Sequence, residues 1–368
     1  MIIGIDAREL GGRATGTGRY LRSLMRVWKR SGADRFIAYL DQAPQALLPN
    51  SDRYIWRTLA DKPVGGLVWQ ERLLAPAARR DDINVLFAPA YQCPLSLKRP
   101  RVTAVHDLSF FFCAHDFGLV EGLRRRLLVA ASIRASRAIL ACSRFTRDEI
   151  ARRFPDAAAR VHHVPLGADD DLPQAPAREQ ARRQLGLTGP LILWVGSVFN
   201  RRCLPELLAA GALLRQRWPA LRIDVVGDNR TRPQRDLHAL ARHSDMADHV
   251  RFSGFVDDDD LALRYASADV VVQLSDYEGF GLPALEAMAR GVPVVASDRP
   301  ALSEITGDAA CTVNPRDPRA IAQALARVLG DGAFALRLRE QGRVQAARFS
   351  WDAAAARVLA VLRQAATP

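Results

Sequence analysis

Lysine is almost missing from this chain: three of its 52 basic residues are Lys29, Lys62 and Lys98, and the rest are arginine. The net charge of +12 admits nucleic acid, an anionic membrane surface or a phosphorylated substrate as partners. Arginine is spread along the whole chain, so charge alone does not choose among them. Cysteine is scarce as well. Cys93, Cys113, Cys142, Cys203 and Cys311 are odd in number and far apart, with no CxxC and no nearby histidine pair, which excludes a disulfide framework and a structural zinc site. No apolar run approaches the roughly 18 residues of a membrane-spanning helix, and the start MIIGIDAREL lacks the basic-then-apolar order of a signal peptide. A cytosolic protein is expected. Low-complexity segments and short solenoid repeats are also missing.

What is there is ample for burial. With 368 residues, 49% hydrophobic and 25% charged, the chain exceeds one ordinary core and predicts two domains. Short β-rich runs alternate with amphipathic stretches, the pattern of parallel sheets covered by helices. The first series runs through IIGID, FIAYL, INVLFAP, RVTAVHD, AILACS and VHHVPLG. Prolines and mixed charge interrupt it at ADDDLPQAPAREQARRQLGL, and a second series follows through LILWVG, LRIDVVG, VRFSGF, DVVVQLS, VPVVAS and AACTV. The expected fold class is therefore α/β, with two Rossmann-like domains facing each other across a ligand-binding cleft. The expected boundaries are 1–168, a linker at 169–188, a second domain at 189–348, and a C-terminal helix at 349–368 that packs back on the first domain.

The richest segment is SDYEGFGLPALEAMARGVPVVAS, residues 275–297. A loop with Glu278, Gly279, Phe280 and Gly281 leads to a helix opened by Pro283 and closed by Gly291, which obeys the helix-terminus asymmetry. Glycines allow close approach of backbone N–H groups, and a helix N-terminus favours a diphosphate. Glu278 and Glu286, eight residues apart, could touch different parts of one extended ligand. Taken as an isolated pair, two glutamates more often solvate a loop and a helix face. In context, EGFGLPALEAMARGVPVV resembles the E-x7-E motif of retaining glycosyltransferases of the GT-B fold, family four. GIDARELGGRATGTGRY, LVWQERLLAP, VTAVHDLSF, ACSRFTRDEI, VPLGAD, LILWVGSVFNRRCLPELLAA and the terminal FSW resemble further blocks of that family in the same order, especially its bacterial mannosyltransferase-like branch.

The resemblance implies a nucleotide-sugar donor bound mainly by the second domain, an acceptor bound mainly by the first, and transfer with retained configuration and no metal. It places Glu278 at the donor sugar hydroxyls and Glu286 at the ribose, with backbone of Gly279, Phe280, Gly281 and Leu282 at the sugar and diphosphate. Arg201 and Arg202 fall where the family has Arg-Lys. Arg202 in place of lysine keeps the charge but is longer and planar, and Ser197 stands where some relatives carry another cation. Simple solvation is the plain alternative for this pair. His106 ends a strand of the first domain, where the family keeps a histidine near the donor sugar, against a default of a hydrogen bond to Asp107 or backbone. Gly16 and Gly18 lie ahead of a helix expected from Arg19, either meeting the diphosphate or merely capping. Backbone of Phe255 and Val256 is expected at the nucleobase.

The acidic runs Asp257–Asp260 and Asp169–Asp171 lack the spacing of a metal site, and the first reads as helix N-terminal charge. His106, Glu278 and Arg202 are the expected catalytic residues, with front-face attack favoured over Glu278 as a covalent nucleophile. Arg124, Arg125 and Arg126, among leucines in GLVEGLRRRLLVAASIRASRAIL, fit either a helix on the inner face of an anionic membrane or a solvated surface helix. No aromatic-basic RNA motif or helix-turn-helix pattern supports specific nucleic-acid binding. No cofactor is expected, only a nucleotide-sugar co-substrate. GDP-mannose is favoured, with a UDP-hexose open, and the acceptor is a glycan or lipid-linked glycan of cell-surface polysaccharide or lipopolysaccharide. A sugar-nucleotide epimerase or a non-catalytic nucleotide-sugar binder of the same architecture are the alternatives.

Overall fold

A computed structural model describes residues 1–11, 16–30, 32–42, 52–113, 116–168 and 173–367. The chain divides into two compact units. The first holds Met1–Phe111, Val120–Gly167 and Phe349–Pro368, and the second holds Phe112–Leu119 and Ala168–Arg348. The eight residues Phe112–Leu119 thus pack with the second unit, although the expected domain boundary places them in the first. The acidic stretch Asp169–Asp171 lies outside the described residues.

The first unit is built on a parallel sheet of seven strands. In chain order these are β1 (Ile2–Asp6), β2 (Arg35–Leu40), β3 (Tyr54–Thr58), β4 (Val85–Ala88), β5 (Arg101–Val105), β6 (Ala138–Ala141) and β7 (Val161–His163), arranged 3-2-1-4-5-6-7. β3, YIWRT, is not among the strands read from the sequence. It is an edge strand with only its first residue fully buried, so its apolar signal is weak. The second unit has six parallel strands: β8 (Leu191–Val195), β9 (Arg222–Val226), β10 (Val250–Gly254), β11 (Val270–Gln273), β12 (Val294–Ser297) and β13 (Cys311–Val313), in the order 10-9-8-11-12-13. The inner strands are buried along almost their whole length, as strands covered by helices on both faces must be. Strand order reverses between β1 and β4 in one sheet and between β8 and β11 in the other. Ligands of open α/β sheets bind outside the carboxyl ends of the strands at such points.

The C-terminal helix Trp351–Ala366 belongs to the first unit. Ser350 caps it by accepting the N–H groups of Asp352 and Ala353. The Trp28 indole donates to the Ala355 carbonyl at 3.0 Å, and Arg363 pairs with Asp34 at 2.6 Å. Gly167 lies so close to Trp351 that a Cβ there would collide with the Trp351 backbone.

Candidate functional site

The second unit gathers most of the expected site residues at its switch point. β8 is followed directly by Gly196, whose φ of +122° is a glycine conformation. A Cβ at Gly196 would also overlap the Arg202 guanidinium, so the missing side chain is the space in which Arg202 lies. β9 is followed by Gly227, again with positive φ, where a Cβ would collide with the Gly196 carbonyl. Ser197, partly buried, follows Gly196 in this floor.

Arg201 and Arg202 end a short 3-10 turn, Asn200–Arg202. Three residues per turn send neighbouring side chains about 120° apart, and the two arginines accordingly go to different partners. Arg202 crosses above the Trp194 ring, 5.9 Å from its centroid, and donates to Glu278 Oε1 at 3.0 Å. Arg201 turns inward and pairs with Asp116 at 2.9 Å, with side-chain exposures of 8% and 0%. A guanidinium so buried and so paired belongs to the scaffold of the turn. The structure therefore brings Arg202, and not the Arg201 guanidinium, together with Glu278.

Glu278 is reached from β11 by a tightly held loop. Ser275 N–H donates to Ser297 Oγ at 2.6 Å, Ser275 Oγ to the Tyr277 carbonyl at 2.8 Å, and Asp276 N–H to the Arg201 carbonyl at 2.8 Å. Glu278 Oε2 and Arg202 Nε are buried and have no partner among the described residues. A desolvated carboxylate oxygen and a desolvated N–H are costly unless something bonds them. Both atoms belong to the Arg202–Glu278 pair, one an acceptor and the other a donor.

The loop closes through Gly279 and Phe280, both buried, and Gly281, which caps the helix Leu282–Ala289 at φ +113°. A Cβ on Gly281 would run into Leu302. Pro283 stands in the first turn, and the Ala284 N–H is taken by Gln273 Oε1 at 3.0 Å, which leaves the Leu282 N–H without an intrahelical acceptor. Gln273 was overlooked in the sequence, although a glutamine in the buried run VVVQ is the signal for such a cap. Glu286 is 1% exposed and accepts the Tyr265 hydroxyl at 2.8 Å. Phe255 is exposed and Val256 partly buried in the loop after β10. The aspartate run behaves as helix N-terminal charge: Asp257 caps Asp258–Ser267 by accepting Asp260 N–H at 2.8 Å.

In the first unit His106 follows β5 and lies edge-on to the rings of Tyr20 and Tyr91, at 5.0 and 5.6 Å. Its Nε2–H donates to the Pro89 carbonyl at 2.8 Å, so the Nδ1 lone pair stays available. Burial pushes its pKa below the usual histidine value, against the Pro89 bond and Asp107, and at neutral pH the ring is uncharged. Asp107 bonds instead to Ser109 and Tyr91. Gly16 and Gly18 do not precede a helix: they form the first turn of Gly16–Trp28, with Gly16 exposed and Gly18 buried. First-turn N–H groups have no intrahelical acceptor, so glycine costs little there.

A further polar cluster in this unit surrounds Asp6. Asp6, at the end of β1, accepts from Arg8 at 3.1 Å, the Trp69 indole at 3.1 Å and Gln70 Nε2 at 2.9 Å, while Gln70 Oε1 is buried and without a partner among the described residues. The signal was an aspartate and an arginine directly after an apolar strand.

Known proteins resemble this chain over most of its length. Residues 14–172 match the model of Glycosyltransferase Family 4, and residues 189–331 that of Glycosyl transferases group 1. The chain is 32% identical to the O-antigen chain mannosyltransferase B of Escherichia coli, over 92% of this chain and 93% of that protein. It is 33% identical to the MMP alpha-(1->4)-mannosyltransferase of Mycolicibacterium hassiacum, over 62% of this chain and 54% of that protein. Sucrose-phosphate synthase from Thermosynechococcus elongatus superposes with a TM-score of 0.80 at 23% identity, covering 99% of this chain and 98% of that one. On the full-length match, with the two sheets and the loop–helix element described above, the chain belongs to glycosyltransferase family 4 of the GT-B fold.

Proposed function

We propose that this glycosyltransferase moves mannose from GDP-mannose, with retained anomeric configuration, onto a glycan or lipid-linked acceptor of cell-surface polysaccharide or lipopolysaccharide. The observation that carries the reading is the Arg202–Glu278 pair with its two unpartnered atoms, set beside the helix start at Leu282. The name of the Escherichia coli relative supports mannose and the polysaccharide.

In this reading the donor diphosphate takes the Arg202 guanidinium and the Leu282 N–H, and a sugar hydroxyl donates to Glu278 Oε2. Positive charge fixed where the leaving oxygen gathers negative charge favours the transition state over the bound donor. The bond from sugar C1 to phosphate oxygen breaks and the bond from C1 to acceptor oxygen forms on the same face. The acceptor proton leaves on the diphosphate. Helix N-terminus and arginine neutralise the diphosphate without a metal. Glu286 holds the ribose, which its bond to Tyr265 orients, and backbone of Phe255 and Val256 meets the base. In the first unit, His106 is neutral and carries Nδ1 as an acceptor, which suits the sugar-hydroxyl role that the family resemblance assigns to it.

The test is transfer from GDP-mannose to a mannosylated acceptor, with the anomeric configuration of the new linkage read by NMR. An α-linked product from the α-configured donor is expected. A β-linked product, or turnover with UDP-hexoses only, rejects the retaining or the mannosyl reading respectively.

A peripheral membrane contact completes the proposal. On the helix Leu119–Ala135, Val120, Leu123 and Leu127 are exposed at 84%, 57% and 62%, beside exposed Arg124. Arg126 is committed to the Phe110 carbonyl at 2.7 Å, and Arg125 stands 3.7 Å from Glu121, so the leucines and Arg124 form the contact. Leu123→Glu with Leu127→Glu should abolish sedimentation with phosphatidylglycerol vesicles, while unchanged sedimentation would leave this helix merely solvated.

A further inference from the structure

The loop that carries Glu278 is braced by a strap from a distant part of the sequence. Phe112–Leu119 packs with the second unit, while its chain neighbours Phe111 and Val120 belong to the first. Within the second unit two strap side chains reach this loop or its support. Phe112 stacks on Tyr277, with centroids 5.4 Å apart and planes 21° apart. Asp116 binds the Arg201 guanidinium at 2.9 Å, and the Arg201 carbonyl accepts the N–H of Asp276 at 2.8 Å. Asp276 and Tyr277 are the two residues immediately before Glu278.

We propose that Asp116 is a positioning residue, acting through Arg201 to fix both members of the Arg202–Glu278 pair. This rests on the reading of that pair as the donor site. Arg201 shares its turn with Arg202, and its backbone carries the Glu278 loop, so one buried ion pair sets both ends. A charge buried among protein atoms must keep its partner. Without the Asp116 carboxylate the Arg201 guanidinium, stacked 4.3 Å over Phe199, loses the buried ion pair it makes at 2.9 Å. Relief requires the turn to move, and the Arg201 carbonyl moves with it. Arg316 holds the Asp276 carboxylate from the other side and also binds Glu206, so the loop is gripped on one side by its own unit's fold and on the other by the strap.

The experiment uses the full chain as Asp116→Asn, Arg201→Met and the double variant, with Phe112→Leu as a milder change that removes only the stacking. Hydrogen exchange at residues 276–281 and kcat and KM for the donor are measured on protein held well below its melting temperature. Each single charge variant is expected to speed exchange at these residues about tenfold or more and to lower kcat about 10–100-fold, the cost of a small misplacement. KM for the donor should stay within about threefold, and the double variant should be no worse than the worse single. Phe112→Leu should speed the same amides less. Unchanged loop exchange in Asp116→Asn overturns the proposal, as does additivity in the double variant. A large KM rise confined to Arg201→Met also overturns it, because Arg201 would then bind the donor itself. Loop exchange that responds as described in a protein that turns over no nucleotide sugar keeps the brace and rejects the transfer reading.

Discussion

Replacing Arg202 by methionine is expected to lower kcat/KM for transfer by about 10²–10³, the usual loss when one fixed donor to a developing negative charge is removed. Methionine fills the stem's volume above Trp194 but supplies neither the N–H that faces Glu278 nor charge for a diphosphate. Arg202→Lys introduces the residue that the family resemblance leads one to expect at this position. Lysine keeps the charge as a point rather than a fork, so activity within about tenfold of the original is expected. Steady-state kinetics with a saturating acceptor separate these cases. Equal loss in both variants would mean that forked geometry, and not charge alone, is what this site needs.

The largest expected loss of stability lies elsewhere in the second unit. Arg264 is 1% exposed and pairs with Asp224, itself 5% exposed, and with Asp260 at 3.0 Å. Arg264→Met leaves the Asp224 carboxylate with the Ser253 hydroxyl, 2.8 Å away, and with no paired cation among the described residues. Breaking a buried pair from one side costs about 3–5 kcal/mol, which lowers the melting temperature of a domain this size by about 6–20 °C. Adding Asp224→Asn removes the stranded charge and should recover most of the loss. Calorimetry of the single and double variants checks it. A single variant within 1 °C of the original would show that the pair contributes nothing net.

Arg201 and Arg202 mark the limit of what the sequence discloses about this site. Glu278, Gly281, Pro283 and Glu286 are neighbours along one loop and helix, so their meeting is written in their spacing. Twelve of the thirteen strands among the described residues were legible, the inner ones because buried parallel strands are continuous apolar runs and the edge strands β7 and β10 from the alternation around them. β3 escaped because its exposed half dilutes that signal. Adjacent arginines look alike in a sequence, yet the turn they share aims one at Asp116 and the other at Glu278. Nothing near Asp116 in the chain points to Arg201, 85 residues away. Gly16 and Gly18 read as a loop because glycine disfavours helices, but that penalty applies to helix interiors and not to a first turn.

The most direct test of the Arg202–Glu278 pair as donor site is calorimetric titration with GDP-mannose of the original chain, Arg202→Met and Glu278→Gln. The original is expected to bind. Arg202→Met should bind about 10²-fold more weakly, since it loses the charged bond to the diphosphate. Glu278→Gln should lose affinity for GDP-mannose while keeping its affinity for GDP. Unchanged binding of GDP-mannose by Arg202→Met would contradict the account, because the donor would then lie away from the pair.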